Sequence, residues 1–88
     1  MYYMDITVIH AISKSEIDYG ILSMRHGDGT YTFFQTLPER FTISIRGKRI
    51  LNRKLTTNKV WIGYTKMRQF QVDEKVTISR KGSIVYIK

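Results

Sequence analysis

The chain has 88 residues, 42% hydrophobic and 12% aromatic, and no cysteine. That is too apolar for a disordered polymer and short enough for one domain, residues 1–88, and it excludes disulfides, thiolate catalysis and cysteine-ligated zinc. The net charge of +8 is one-sided: residues 1–44 carry three basic side chains against five acidic ones, residues 45–88 twelve against two.

Residues 6–12 are β-branched and mostly apolar, which predicts a buried or half-buried strand. Residues 13–16 break it. Residues 19–24 and 30–36 are strand-like and flank His26-Gly27-Asp28-Gly29, where Asp-Gly predicts a hairpin turn. A second break falls at 37–40. Residues 41–46 alternate, with Phe41, Ile43 and Ile45 on one face and Thr42, Ser44 and Arg46 on the other. Gly47-Lys48 reads as a turn and residues 49–55 as a poorer strand or loop.

Residues 59–62 again predict a strand, with Lys59 and Trp61 opposite Val60 and Ile62. The three-residue spacing of Tyr64, Met67 and Phe70 suits a short helix of about two turns with those residues inward. A C-terminal hairpin closes the chain: strand 75–79, a turn at 80–82 and strand 83–88, with Val76 and Ile78 toward the core. The fold class is therefore mainly β, a small barrel or curled antiparallel sheet with one short helix near residues 64–70.

Residues 6–33 and 60–87 align without a gap as strand, short irregular or helical piece, strand, turn and strand, the pattern of an internal duplication. Val60-Trp61-Ile62, Met67-Arg68, Asp73 and Val76-Thr77-Ile78 carry a further likeness. Through them residues 59–88, a third of the chain, resemble one half of the AbrB-type and related cradle-loop barrels, many of which bind DNA. The sequence departs from that pattern in a shorter helix-to-strand connection, in Gly63 where proline is usual and in Asp73-Glu74 where Gly-Asp is usual. Membership does not follow from it.

Catalysis is not expected. His10 shares a face with apolar Ile6, Val8 and Ile12, the position of a satisfied core histidine. His26 and Asp28 share a loop that turn chemistry explains without a metal. Glu16, Asp18 and Glu39 show no paired-carboxylate spacing, and neither glycine cluster is a phosphate loop. No cofactor or metal is implied.

The basic segment is different. Arg46, Lys48, Arg49, Arg53 and Lys54 put five cations within nine residues. Such density suits phosphates, whose neutralisation releases condensed counterions, and arginine matches phosphate and guanine edges alike. Lys59, Lys66, Arg68, Arg80 and Lys81 extend the candidate set. The expectation is a nucleic-acid-binding protein, DNA ahead of RNA through the barrel resemblance and a basic hairpin able to enter a groove.

The alternatives are a regulator docking its basic face on an acidic surface of a larger protein, such as a polymerase or nuclease, and an RNA- or ribosome-binding protein. Opposite charge in the two halves also favours a homodimer. No apolar run reaches the ~20 residues of a membrane span and residues 1–5 lack a signal peptide's charged start, so the expected setting is cytoplasmic, without a membrane partner. Trp61 reads as core. Were it exposed, it would be a stacking platform and single-stranded nucleic acid the favoured ligand.

Overall fold

A computed structural model describes residues 7–88; the start of the first expected strand, at residue 6, lies outside the described residues. The elements run β1 (Thr7–Ala11), α1 (Lys14–Tyr19), β2 (Ile21–Ser23), α2 (Thr30–Gln35), β3 (Phe41–Ile45), β4 (Lys48–Arg53), β5 (Lys59–Trp61), α3 (Tyr64–Met67), β6 (Lys75–Lys81) and β7 (Ile84–Ile87). The architecture is mainly β, as expected from the sequence. A five-stranded sheet has the order β1-β6-β7-β3-β4, and β2 and β5 form a separate two-stranded ribbon. Among the described residues the sheet does not close, since β1 and β4 stand at its edges.

The sheet is mixed, which corrects the antiparallel expectation. The β6–β7 and β3–β4 hairpins are antiparallel, but β3 runs parallel to β7, with Ile43 beside Val85 and Ile45 beside Ile87. Both strands are continuous apolar runs on their inner face, so joining them buries two hydrophobic stripes side by side. Phe41, Ile43, Ile45, Val76, Ile78, Val85 and Ile87 are all buried, as alternation predicts. Leu22, Val60, Met67, Phe70, Phe33 and Phe34 cover them in the same core.

Three short helices stand where one was expected, and two of them correct specific readings. Residues 30–36 form no hairpin strand: α2 occupies them, and β2 pairs with β5 instead. Phe33 and Phe34 are adjacent and both buried. On a strand they would face opposite ways, whereas on a helix ~100° separates them and both reach one core. Asp28 launches the helix, its Oδ1 accepting the Thr30 N–H at 3.0 Å and the Thr30 hydroxyl at 2.6 Å. The break at 13–16 is the start of α1, closed by a capping box. Ser13 Oγ accepts the Glu16 N–H at 3.2 Å, and Glu16 Oε1 accepts the Ser13 N–H at 2.9 Å. The helix near 64–70 is present as α3, but Tyr64 faces solvent while Met67 and Phe70 point inward. Strand β6 continues to Lys81, so Arg80 and Lys81 lie in a strand and not in its turn.

Gly20 joins the two helical corners. At φ +66° it ends α1, and its carbonyl accepts N–H groups from Ile62 at 2.9 Å and Gly63 at 2.8 Å. A Cβ there would lie 2.8 Å from both the Gly63 carbonyl carbon and the Tyr64 nitrogen, backbone atoms that cannot step aside. Gly20→Ala should therefore cost about 2 kcal/mol or more, a left-handed penalty of ~1–2 plus displacement of the β5–α3 corner. For a domain of this size that lowers Tm by about 8–16 °C. Gly82→Ala, at φ +61° with open space around it, is the control and should lose roughly half as much in the same calorimetric scan.

Candidate nucleic-acid interface

The ten basic residues differ in what engages their side chains. Arg46 sits at φ +49° in the β3–β4 turn, its guanidinium paired with Glu74 and lying 4.7 Å over the Phe70 ring. It is committed to the fold. Arg80 is also committed: its guanidinium donates to the Thr36 carbonyl at 2.8 Å and the Thr36 hydroxyl at 3.1 Å, tying β6 to the end of α2. Lys66 is half-buried on α3 and Arg68 caps that helix, exposed. Lys48, Arg49, Arg53 and Lys54 follow the outer edge of the sheet along β4, which is about 20 Å long at ~3.3 Å per residue. Among the described residues no carboxylate lies within ion-pair distance of any of these four.

Where β4 ends, the chain turns into the ribbon and three cations meet two aromatic rings. Lys59 and Trp61 project from one face of β5, while Val60 and Ile62 enter the core. Trp61 is 48% exposed, which corrects the core reading, and Tyr64 is 48% exposed beside it. Their rings meet edge to face with centroids 5.3 Å apart. Arg53 donates to the Leu51 carbonyl at 3.1 Å and reaches the Trp61 carbonyl at 3.5 Å. A shallow hollow of about 240 Å³ is lined by Asn52, Arg53, Lys54, Thr56 and Trp61. An indole held edge-on against a second ring, with guanidinium and ammonium groups around it, offers a flat apolar surface next to fixed positive charge.

A second polar constellation, which the sequence reading missed, lies in the core. His10 is fully buried, as expected, but between two carboxylates. Its Nδ1 lies 2.6 Å from Asp28 Oδ2 and its Nε2 2.7 Å from Glu16 Oε2. With both carboxylates ionised, both nitrogens donate and the ring is an imidazolium. Glu16 Oε2 also accepts the Ser23 N–H at 2.8 Å, and Oε1 accepts from Arg25 at 3.2 Å. Two cations and two carboxylates thus balance.

Burial alone would push the His10 pKa down, yet the bonds and charges of Glu16 and then Asp28 outweigh it and raise it. Burial alone would raise Glu16, but His10 and the Ser23 and Ser13 N–H groups hold it below its ordinary value. Asp28 is held low likewise, by Thr30 first and His10 next. His26, the loop histidine, is exposed against Tyr31 with ring centroids 4.1 Å apart and takes no part. Sequence separations of six and eighteen carry no recognisable pairing signal; only the S-x-x-E capping box marks Glu16 in advance.

Comparison with protein families, with characterised proteins and with solved structures finds no match to this chain. Among the described residues no helix is long and apolar enough to cross a membrane.

Proposed function

We propose that this protein binds single-stranded nucleic acid, with Trp61 and Tyr64 as the stacking platform and Arg53, Lys54 and Lys59 as the phosphate contacts. The observation that carries the reading is the exposure of Trp61. Burying a tryptophan is among the largest stabilising steps open to a small chain, and here the indole stands in water beside unpaired cations. Base–aromatic stacking contributes ~1–3 kcal/mol per base and tolerates any sequence. Duplex insertion is less well supported, because the turn that would enter a groove has its arginine, Arg46, occupied by Glu74 and Phe70.

Trp61 is the only tryptophan, so its fluorescence reports the site directly. Addition of (dT)12 at about 20 mM salt should quench it, and a duplex of the same length should quench it less. Trp61→Ala should weaken (dT)12 binding by roughly 5- to 150-fold in anisotropy, and Trp61→Phe should retain most of it. Absence of quenching at low salt by either DNA or RNA strands would defeat the proposal. Stoichiometric retention of a protein partner from nuclease-treated extract would then favour the regulator reading.

A further inference from the structure

The open face of the five-stranded sheet bears a row of side chains unlike the rest of the surface. Register places Thr7 opposite Ser79, Ser79 opposite Tyr86, Tyr86 opposite Ser44 and Ser44 opposite Arg49. Residues directly opposite share a face, so the Thr7, Ser79 and Tyr86 hydroxyls form a line across β1, β6 and β7, and Arg49 extends it on β4 beyond Ser44, which is buried. Lys81 lies beyond Ser79 along β6 and Lys88 beyond Tyr86, both exposed. With Arg80 these groups line a depression of about 540 Å³ that includes Thr7, Ser79 and Tyr86.

Strand alternation puts no carboxylate on this face among the described residues. Glu16 and Asp28 are spent on His10, Glu74 on Arg46, and Asp18 on Lys14. A half-buried tyrosine between two lysines, in a field of hydroxyl donors with no opposing charge, suits a sugar–phosphate chain.

We infer that a single-stranded polynucleotide continues from the Trp61 platform across this open face, with Tyr86 as a second stacking position and Lys81, Lys88 and Arg49 as its phosphate contacts. The inference rests on the proposed single-strand reading and extends it to a second subsite. Trp61 points away from the core and the row lies on the outer face of the sheet, so the strand would pass from one subsite to the other around one rim of the sheet. Lys81 pairs with Ile84, Ile84 with Thr42, and the neighbouring Phe41 with Arg53, so the end of β6 and the end of β4 lie on the same rim. The row is about 19 Å wide at ~4.8 Å per strand spacing. That width takes about five to six nucleotides at ~3.4 Å each.

The test uses labelled (dT)4 and (dT)12 with the wild-type chain and a Lys81→Gln/Lys88→Gln double variant. Both substitutions are at exposed positions, so the melting transition should not move. The wild type should bind (dT)12 more than tenfold tighter than (dT)4. In the double variant Trp61 quenching by (dT)4 should be unchanged, the (dT)12 affinity at 0.15 M salt should fall by about tenfold, and the slope of log K against log[salt] should drop by about 1.4, two contacts at ~0.7 each. Tyr86→Phe should keep its packing and most of the affinity, whereas Tyr86→Ala should lose the length dependence. If the double variant matches the wild type in affinity and slope, the open face is not a subsite, while the Trp61 platform stands. If neither oligonucleotide quenches Trp61 in the wild type, both readings fall together.

Discussion

Glu16→Gln is expected to lower Tm by about 12–40 °C, although it changes one oxygen to an NH2 group. Each Glu16 oxygen receives two donors: Oε2 from His10 and the Ser23 N–H, Oε1 from Arg25 and the Ser13 N–H. Whichever way a glutamine amide turns, its NH2 group faces two donors in a fully buried site, and the His10 imidazolium loses one of its two counter-charges. Breaking a buried ion pair on one side costs about 3–5 kcal/mol. A chain of 88 residues holds about 4–13 kcal/mol in all at ~0.05–0.15 per residue. A thermal transition lowered by that much in circular dichroism is the expected result; a Tm within a few degrees of wild type would mean that the network adds little to stability.

The same network sets a pH window. His10 has a folded pKa above its unfolded value, so its stabilisation is complete below about 6.5 and is lost as pH rises through the folded value. Glu16 and Asp28 have folded values below their unfolded ones, so theirs is complete above about 4.5 and is lost as pH falls. Tm should therefore peak between about pH 4.5 and 6.5 and decline on both sides.

Replacing Lys48, Arg49, Lys54 and Lys59 together by glutamine should abolish tight single-strand binding with little change in Tm. None of the four side chains makes a hydrogen bond or ion pair among the described residues, unlike Arg46 and Arg80, and all are exposed. Each exposed substitution should stay within ~0.5 kcal/mol of neutral. If each contacts a phosphate, the salt slope falls by about 3, and affinity at 0.15 M salt drops by about 200-fold. Cations on an edge strand also deter edge-to-edge pairing. Were that their whole role, the variant would aggregate in sedimentation yet bind (dT)12 as the wild type does, and that outcome would defeat the interface.

Much of this was legible in local pattern. Phe41, Ile43 and Ile45 alternate because a strand with one buried face must alternate, and the C-terminal hairpin followed from the same rule with Gly82 between its strands. The basic run at 46–54 had to become a surface feature, and residues 48–53 of it did so as β4. The capping box at Ser13 and Glu16 is equally local, but Ser-Lys-Ser-Glu also suits a loop, and a six-residue helix gathers little propensity of its own. Residues 30–36 misled for another reason. Their Thr, Tyr and Phe favour strands, but two adjacent phenylalanines can share one core only from a helix, and tertiary burial overrode propensity.

By itself the sequence determined the alternating strands, the sides of β5 and the asymmetric charge, because each depends on neighbours within a few residues. Long-range contact decided the rest. The parallel pairing of β3 with β7 joins segments some forty residues apart. The imidazolium of His10 exists because α1 and the loop before α2 each deliver a carboxylate to it. Trp61 is a surface residue because the ribbon that carries it turns its other face, Val60 and Ile62, to the core. Composition identifies which residues want burial, but the number of places in the core, and which residues fill them, is a property of the packed chain.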